Sequence, residues 1–349
     1  GQLSLKGQSR LLIGRDPDAD VPLGHPSVSW HHAEIQNGTL RDLDSTNGTF
    51  VNGQRLRGQR PLETGDKVQI GPFIFNYNAA GTINQFSSAQ DVRIDGRHLI
   101  RIVGQDKVIL KDISLSILPR EFVALVGGSG AGKSTLMKAL TGFVRADQGQ
   151  VLLNHDDLYQ NYPLYKAMLG YVPQDDIVHI GLPVDRALRY AARLRLPPDT
   201  SEAEIERRID KALDEVDLRS QKHQVIASLS GGQRKRVSIA MEMLADPSLF
   251  FLDEPTSGLD PGLEKKMMYT LRKLADGGRT IVLVTHATAN IDRCNHVAFM
   301  AYGNLAFFGP PAEAKRFFNQ AQDFADIYTE LGDEQQAETW TQRFKTSPI

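Results

Sequence analysis

Eight consecutive residues constrain this chain more than any other feature: Gly127-Gly128-Ser129-Gly130-Ala131-Gly132-Lys133-Ser134. They match G-x-x-x-x-G-K-[ST] without a gap. The apolar run Phe122–Val126 precedes them, and the helix-like stretch 135–140 follows. Strand, glycine-rich turn and helix in that order are the context the pattern requires. Glycines let backbone N–H groups turn inward around phosphate oxygens, and the helix N-terminus adds partial positive charge. Lys133 is expected to reach the β- and γ-phosphates of a nucleotide, and the Ser134 hydroxyl to ligate Mg²⁺. From Val92 onward apolar strands alternate with helical patterns, which predicts an α/β sheet. Strands are expected at Phe122–Val126, 249–252 and 281–284, and helices at 201–216 and 262–275.

Two further segments extend the same chemistry. The run Leu249-Phe250-Phe251-Leu252 ends in Asp253-Glu254. Burying a carboxylate is costly, so packing alone does not end a buried strand this way. Asp253 is expected to position Mg²⁺ and Glu254 to polarise an attacking water. Upstream of that run, Ser230-Gly231-Gly232-Gln233-Arg234-Lys235-Arg236 opens a helix, with Ser230 and Gln233 in a capping box and Val237, Ala240, Met241 and Leu244 as the apolar stripe. The paired glycines expose N–H groups to a second phosphate-bearing surface. The three basic residues read as a solvated helix face.

Before residue 79 the texture differs. Asn37-Gly38, Asn47-Gly48 and Asn52-Gly53 are hairpin dipeptides, and Phe73, Phe75 and Tyr77 alternate along a strand. Short strands with close turns predict a β-sandwich over residues 1–78. Residues 79–91 are small and polar and read as a flexible linker that separates the two chemistries. The α/β unit is expected to run over 92–318, and 319–349 reads as a polar tail. At 349 residues the chain has room for about two domains. The formal net charge of −2 supplies no global field for nucleic acid, so anion binding must come from local sites. Cys294 is the sole cysteine, which excludes an intrachain disulfide and fits a reducing compartment. No apolar run approaches the ~18 residues that span a bilayer. The opening Gly1-Gln2-Leu3 reads as the start of an excised fragment.

Taken together, LSGGQ at 229–233, LFFLDEP at 249–255, Ser257-Gly258-Leu259-Asp260, Gln174 and His286 resemble an ATP-binding cassette (ABC) ATPase over roughly residues 92–318. The resemblance implies ATP and Mg²⁺ as cofactors. It implies nucleotide contacts from Gly127, Gly128, Ser129, Gly130, Ala131, Gly132, Lys133, Ser134 and Thr135. Ser230, Gly231, Gly232, Gln233 and Asp260 would contribute from a second copy, because two cassettes close over two ATP molecules in that family. Glu254, His286 and Gln174 would be catalytic, and Ser134, Gln174 and Asp253 would hold the metal. Val103 falls where many cassettes stack adenine on an aromatic ring, so GTP is expected to compete with ATP. The segments Gln174-Asp175-Asp176, Ala191–Pro197, Lys235–Ala240 and Phe307-Phe308-Gly309-Pro310 resemble the White, or ABCG, exporter subfamily. There the cassette precedes a membrane domain, which the tail after Phe318 would reach from the cytoplasmic face of the plasma membrane.

The first unit carries Gly14-Arg15, Ser29-Trp30-His31-His32 and Asp42–Gly53, and resembles a forkhead-associated (FHA) domain, a β-sandwich that binds phosphothreonine. Carried over, Arg15, Ser29 and Thr46 would hold the phosphate, Asn47 the peptide backbone, and His32 would brace the loop. A phosphate carries about −1.5 to −2 charge and three acceptor oxygens, which one arginine plus hydroxyl and amide donors can satisfy. The whole reads as an exporter ATPase regulated by a phosphothreonine peptide or phosphoprotein. A soluble ABC ATPase and a phosphopeptide scaffold with weak ATPase activity are the alternatives. The stretch from Lys133 to Ser230 is too short for the coiled-coil insertion of DNA-repair ATPases, and no basic stripe points to nucleic acid.

Overall fold

The computed structural model describes residues 2–4, 10–78, 82–87, 92–175, 177–319 and 321–347. The first unit is a β-sandwich. One sheet orders the strands Gln2–Ser4, Thr82–Ser87, Phe73–Tyr77, Lys67–Ile70, Thr49–Val51 and Gln54–Arg55. The other orders Val21–Pro22, Arg10–Gly14, Ala33–Gln36, Thr39–Asp42 and Gln59–Pro61. Between them lie Leu11, Ile13, Val28, Ile35, Leu40, Val68, Ile70 and Phe75. Asn37, Gly38, Asn52 and Gly53 have the positive φ their hairpin turns require, between +49° and +80°.

The expected linker needs correcting. Thr82–Ser87 pairs antiparallel with Phe73–Tyr77 and with Gln2–Ser4, so part of 79–91 belongs to the sandwich. Period-2 alternation is weak in Thr-Ile-Asn-Gln-Phe-Ser, and ladder hydrogen bonds to a waiting edge decide it instead. Positions 79–81 and 88–91 of that reading lie outside the described residues.

The second unit is built on a sheet ordered Leu169–Val172, Leu249–Asp253, Thr280–Thr285, Phe122–Val126, His296–Ala301 and Asn304–Gly309. The first five strands are parallel and the last is antiparallel. Helices α1 (Lys133–Leu140), α2 (Tyr162–Tyr165), α3 (Val184–Arg195), α4 (Glu202–Glu215), α5 (Gly231–Met243), α6 (Pro261–Asp276), α7 (Pro311–Phe317), α8 (Phe324–Glu330) and α9 (Glu334–Thr346) surround it. Alternation along each strand divides the core into two layers. Phe122, Ala124, Phe250, Leu252, Ile281 and Leu283 face α3 to α9. Val123, Leu125, Phe251, Val282 and Val284 face α1 and an antiparallel sheet formed by Lys107–Ile117, Ile94–Val103, Gln148–Leu153 and Asp156–Asp157. Both sheet faces are covered, which explains why these strands read as unbroken apolar runs.

Residues 319–349 are not a bare tail. Asp323 caps α8 and Asp333 caps α9, each through a side-chain oxygen. Phe324, Ile327, Leu331 and Trp340 are buried in the core of the second unit. Trp340 packs on Phe317 and Phe318 with ring centroids 5.4 and 4.9 Å apart, and Phe344 lies 5.6 Å from Phe307. Aromatic pairs of this kind add about 0.5–1.5 kcal/mol each beyond area burial. Scattered aromatics in a polar stretch are one face of two short helices. Among the described residues, no helix is long and apolar enough to cross a membrane.

Candidate functional site

Parallel strands deliver the predicted chemistry to one edge. The strands Leu169–Val172, Leu249–Asp253, Thr280–Thr285 and Phe122–Val126 are adjacent, and Gln174, Glu254, His286 and the Gly127–Ser134 loop follow their carboxyl ends. Ligands of open α/β sheets bind at that edge. Glu254 Oε2 accepts from Gln174 Nε2 at 3.3 Å and lies 3.4 Å from His286 Nδ1. Glu254 has φ +48°, a left-handed conformation for a residue with a side chain, and its N–H is fixed on Val284 O at 2.9 Å. Asp253 is buried and accepts from Ser134 Oγ at 2.9 Å. Its other oxygen lies 3.5 Å from the Tyr171 hydroxyl, whose pKa burial and the Asp253 charge push up to about 12.

The glycine-rich loop is shaped by close approach at one end and open space at the other. A Cβ on Gly127, at φ +153°, would lie 2.1 Å from Met300 O. Gly128 and Gly130 meet nothing within 4 Å, so the loop presents open backbone. The buried Lys133 ammonium donates to Gly127 O and Gly128 O, both at 2.8 Å. Burial pushes its pKa down, while the charges of Glu254 and Asp253 oppose that. Oxygen donors at Ser134 and Asp253 suit a hard cation, and the exposed loop backbone suits phosphate, so the residues fit a magnesium–nucleotide pair. Thr135 lies in the first turn of α1 behind them.

On α5 the predicted capping box is present: Ser230 Oγ accepts from Gln233 N, and Gln233 Oε1 from Ser230 N. Gly231 is exposed, whereas Gly232 packs toward Leu259 and Leu263. Asp260 caps α6, accepting from Gly262 N and Leu263 N at 2.9 and 3.0 Å. Among the described residues, no hydrogen bond joins Ser230–Gln233 or Asp260 to the Gly127–Ser134 loop.

The basic triplet is not a solvated face. Lys235 and Arg236 are each 6% exposed. Arg236 donates to Val216 O and Asp217 O, and Arg234 to Leu229 O. Lys235 donates to Gln174 O at 2.7 Å and Pro173 O at 3.2 Å, tying α5 to the Gln174 loop. Charge pattern could not reveal this, because the acceptors are main-chain carbonyls of a distant strand end. Asp176, read as part of that loop's signature, lies outside the described residues.

Val103 sits at the tip of the antiparallel hairpin, paired with Lys107 and half exposed. The cavity beside the phosphate loop, about 550 Å³, is lined instead by Lys107, Val108, Gly128–Ala131, Tyr302 and, from the C-terminal helices, Tyr328, Leu331 and Glu334. Tyr302 donates to Gly332 O at 2.7 Å, and Tyr328 donates to His286 O at 3.4 Å. Glu334 and Glu338 pair with Lys111, which raises the pKa of that lysine. Phe307 is fully buried and distant from this role.

In the sandwich, loops gather Arg15, Ser29, Thr46 and Asn47. Thr46 N donates to Ser29 Oγ at 3.1 Å, and the two hydroxyls are 3.5 Å apart. Asn47 Nδ2 donates to Ser27 O at 2.7 Å. Fully buried His32 accepts from Ser29 N on Nδ1, so its Nε2 carries the proton toward Gly48 O at 3.3 Å. Burial keeps this imidazole neutral by lowering its pKa. Arg15 Nε donates to Val28 O at 2.9 Å, and its guanidinium lies 5.5 Å from the Trp30 ring. That guanidinium also meets Asp199, Thr200 and Glu204 of the cassette, partners that no local sequence signal indicates.

Both units match known families. Residues 110–257 match the ABC transporter family, and residues 11–71 match the FHA domain. The chain is 38% identical over 346 residues to the ABC transporter ATP-binding/permease protein Rv1747 of Mycobacterium tuberculosis, covering 97% of this chain and 40% of that protein. It is 36% identical over 228 residues to ABC transporter G family member 26 of Arabidopsis thaliana, covering 63% of this chain and 33% of that one. The chain thus spans well under half the length of these curated relatives. Among solved structures, cbiO1 of Clostridium perfringens, part of the ABC transporter complex cbiONQ, superposes with a TM-score of 0.58 at 28% identity, covering 70% of this chain and 100% of that one. The strand-edge constellation, the glycine-rich loop and these likenesses identify the chain as an FHA domain joined to an ABC transporter ATPase cassette of the ABCG type.

Proposed function

We propose that this chain hydrolyses ATP to drive export across a membrane, and that its FHA domain subjects that work to a phosphothreonine signal. The observation that carries the catalytic reading is the convergence of Gln174 and His286 on one oxygen of Glu254, beside the Ser134–Asp253 pair. Lys133 would exchange its two carbonyl partners for phosphate oxygens of bound ATP. The N–H groups of Gly128 to Gly132 and the N-terminus of α1 orient the phosphates. Glu254 accepts the proton of the attacking water, and Gln174 and His286 hold its carboxylate in place. Ser134 and Asp253, with Gln174, would hold Mg²⁺, which would supply neutralisation of phosphate charge when bound.

Ser230–Gln233 and Asp260 make no hydrogen bond to the phosphate loop of their own chain. That supports closure of a second copy over the nucleotide, with Ser230 at the γ-phosphate. The exported substrate would pass through a membrane domain on the partner side of the Gln174 loop, with the cassette on the cytoplasmic face. In the FHA domain, Arg15, Ser29 and Thr46 would hold the phosphate of a phosphothreonine peptide and Asn47 its backbone.

Glu254→Gln tests the catalytic reading. The variant is expected to bind ATP, to lose at least a hundredfold in turnover, and to accumulate as an ATP-bound dimer in light scattering. Turnover at the wild-type rate would remove Glu254 from the mechanism.

A further inference from the structure

In the proposed phosphate site of the FHA domain, Arg15 and Ser29 are buried, while Thr46 at its rim stays exposed. Arg15, with its side chain only 4% exposed, is paired with Asp199 at 2.9 Å and with Glu204, and it reaches Thr200 Oγ1 at 3.3 Å. Asp199 and Thr200 form the turn between α3 and α4, and Glu204 lies in the first turn of α4. The second Asp199 oxygen accepts from Trp30 N at 2.7 Å, beside Ser29. Glu204 is shared with Arg208 at 3.0 Å, and Ser201 Oγ caps α4 through Glu204 N. The Glu204 carboxylate itself bridges Arg208 and Arg15.

The two carboxylates match a phosphate in chemistry. Together they carry about −2 charge, part of it offset by Arg208, and present acceptor oxygens to the Arg15 guanidinium and the Trp30 N–H. A phosphothreonine brings about −1.5 to −2 charge and three acceptor oxygens. A second observation concerns the neighbouring subsite. Asn47 and Ser27 line a cavity of about 250 Å³ whose other walls are Lys166, Arg195, Leu196 and Glu242 of the cassette. Phe50 of the sandwich is buried in the cassette's own core layer. A peptide lying across Arg15 and Asn47 therefore cannot enter while the two units are docked.

We propose that Asp199 and Glu204 are a resident carboxylate ligand of the FHA phosphate site, and that a phosphothreonine peptide displaces them and undocks the FHA domain from the α3–α4 part of the cassette. The proposal rests on the phosphothreonine reading of Arg15. Docking and peptide binding compete for one guanidinium, so the apparent peptide affinity is reduced by the fraction of molecules that are docked. α4 packs on α3 and on α5, the helix that Ser230 caps, so undocking changes what is packed against that group of helices. The phosphothreonine signal is thereby read out on the surface that a second cassette would engage.

The test uses the 349-residue chain and a degenerate nonapeptide pool with a central phosphothreonine, alongside the same pool dephosphorylated. Calorimetry compares wild type, Asp199→Asn, the double variant Asp199→Asn/Glu204→Gln, and that double variant carrying Arg15→Ala. The double variant is expected to bind the phosphorylated pool at least tenfold more tightly than wild type. Asp199→Asn, on an exposed turn and tolerant of substitution, falls between them. Adding Arg15→Ala abolishes binding. Small-angle scattering should show wild type expanding when saturated with the phosphorylated pool and unchanged with the other. If both carboxylate variants bind no more tightly than wild type while Arg15 remains essential, the resident ligand is wrong and the phosphothreonine reading stands. If Arg15→Ala changes nothing, the phosphothreonine reading fails and takes this proposal with it.

Discussion

The ammonium of Lys235 donates to the main-chain oxygen of Gln174 at 2.7 Å, joining the helix that opens with Ser230 to the loop that reaches Glu254. Lys235 is 6% exposed, and the Gln174 and Pro173 carbonyl oxygens are among the groups its buried ammonium meets. This bond ties α5 to the backbone of the residue whose side chain donates to Glu254, the carboxylate proposed as catalytic.

Lys235→Met keeps the aliphatic stem and removes the bond. A hydrogen bond to a charged group contributes about 1.5–3 kcal/mol. Removing it should lower kcat for ATP hydrolysis at least fivefold while the dissociation constant for ATP, held mainly by the Gly127–Ser134 loop, changes less than threefold. Lys235→Arg should recover part of the rate. Steady-state kinetics with a parallel fluorescent-nucleotide titration checks both. An equal loss in binding and turnover would place Lys235 in general stability alone.

The cavity beside the phosphate loop bears on base recognition. Tyr302 lines it and Val103 does not, so the π face missing at Val103 is available from the turn after His296–Ala301. Aromatic stacking on a base contributes about 1–3 kcal/mol in nucleic-acid sites. Tyr302→Ala should weaken ATP at least fivefold, whereas Tyr302→Phe, which keeps the ring and loses only the bond to Gly332 O, should bind within about twofold of wild type. Val103→Ala should leave affinity unchanged. Competition between ATP and GTP in the same titration shows whether Tyr302 also sets the preference for adenine.

Docking of the two units should depend on pH through His25. Its ring is buried where the sandwich meets the cassette: Nδ1 accepts from Ser27 N at 3.2 Å, so Nε2 carries the proton toward Asp246 O at 3.2 Å. Burial holds the pKa down to about 4, against the favourable charge of Asp246 and with Arg208 adding to the depression. The docked form needs neutral His25, whereas an unfolded or undocked histidine titrates near its ordinary value of about 6.5. Stability from this contact is therefore fully present above about pH 6.5 and declines as pH falls toward 4. His25→Gln, which retains a donor and does not titrate, should flatten that decline. Thermal unfolding of both proteins between pH 4 and 8 measures the difference, and parallel curves would exclude His25.

Much of this protein was legible from residue order. Gly127–Ser134, Asp253-Glu254 and Ser230–Gln233 are local patterns whose backbone conformations and strand contexts are dictated by neighbours in the chain. The same holds for Asn37-Gly38 and Asn52-Gly53, where positive φ selects the residues, whereas in Asn47-Gly48 only Gly48 has positive φ. Apolar runs such as Leu249–Asp253 announce strands covered on both faces, because no shorter-range force makes five successive buried side chains.

Only the tertiary structure decided where charges end. Arg234–Arg236 reads as a solvated triplet, yet Lys235 and Arg236 are buried on carbonyls from other elements, and carbonyl acceptors leave no mark in a sequence. Residues 319–347 read as polar, yet Trp340 and Phe344 complete a core that exists only after the sheet has formed. Thr82–Ser87 becomes a strand because an edge is waiting for it, not because of its side chains. Arg15 carries the same identity in either setting. Whether it faces solvent, a peptide or Asp199 and Glu204 is set by how the two units meet, and that depends on surface shape and charge summed over residues far apart in the chain.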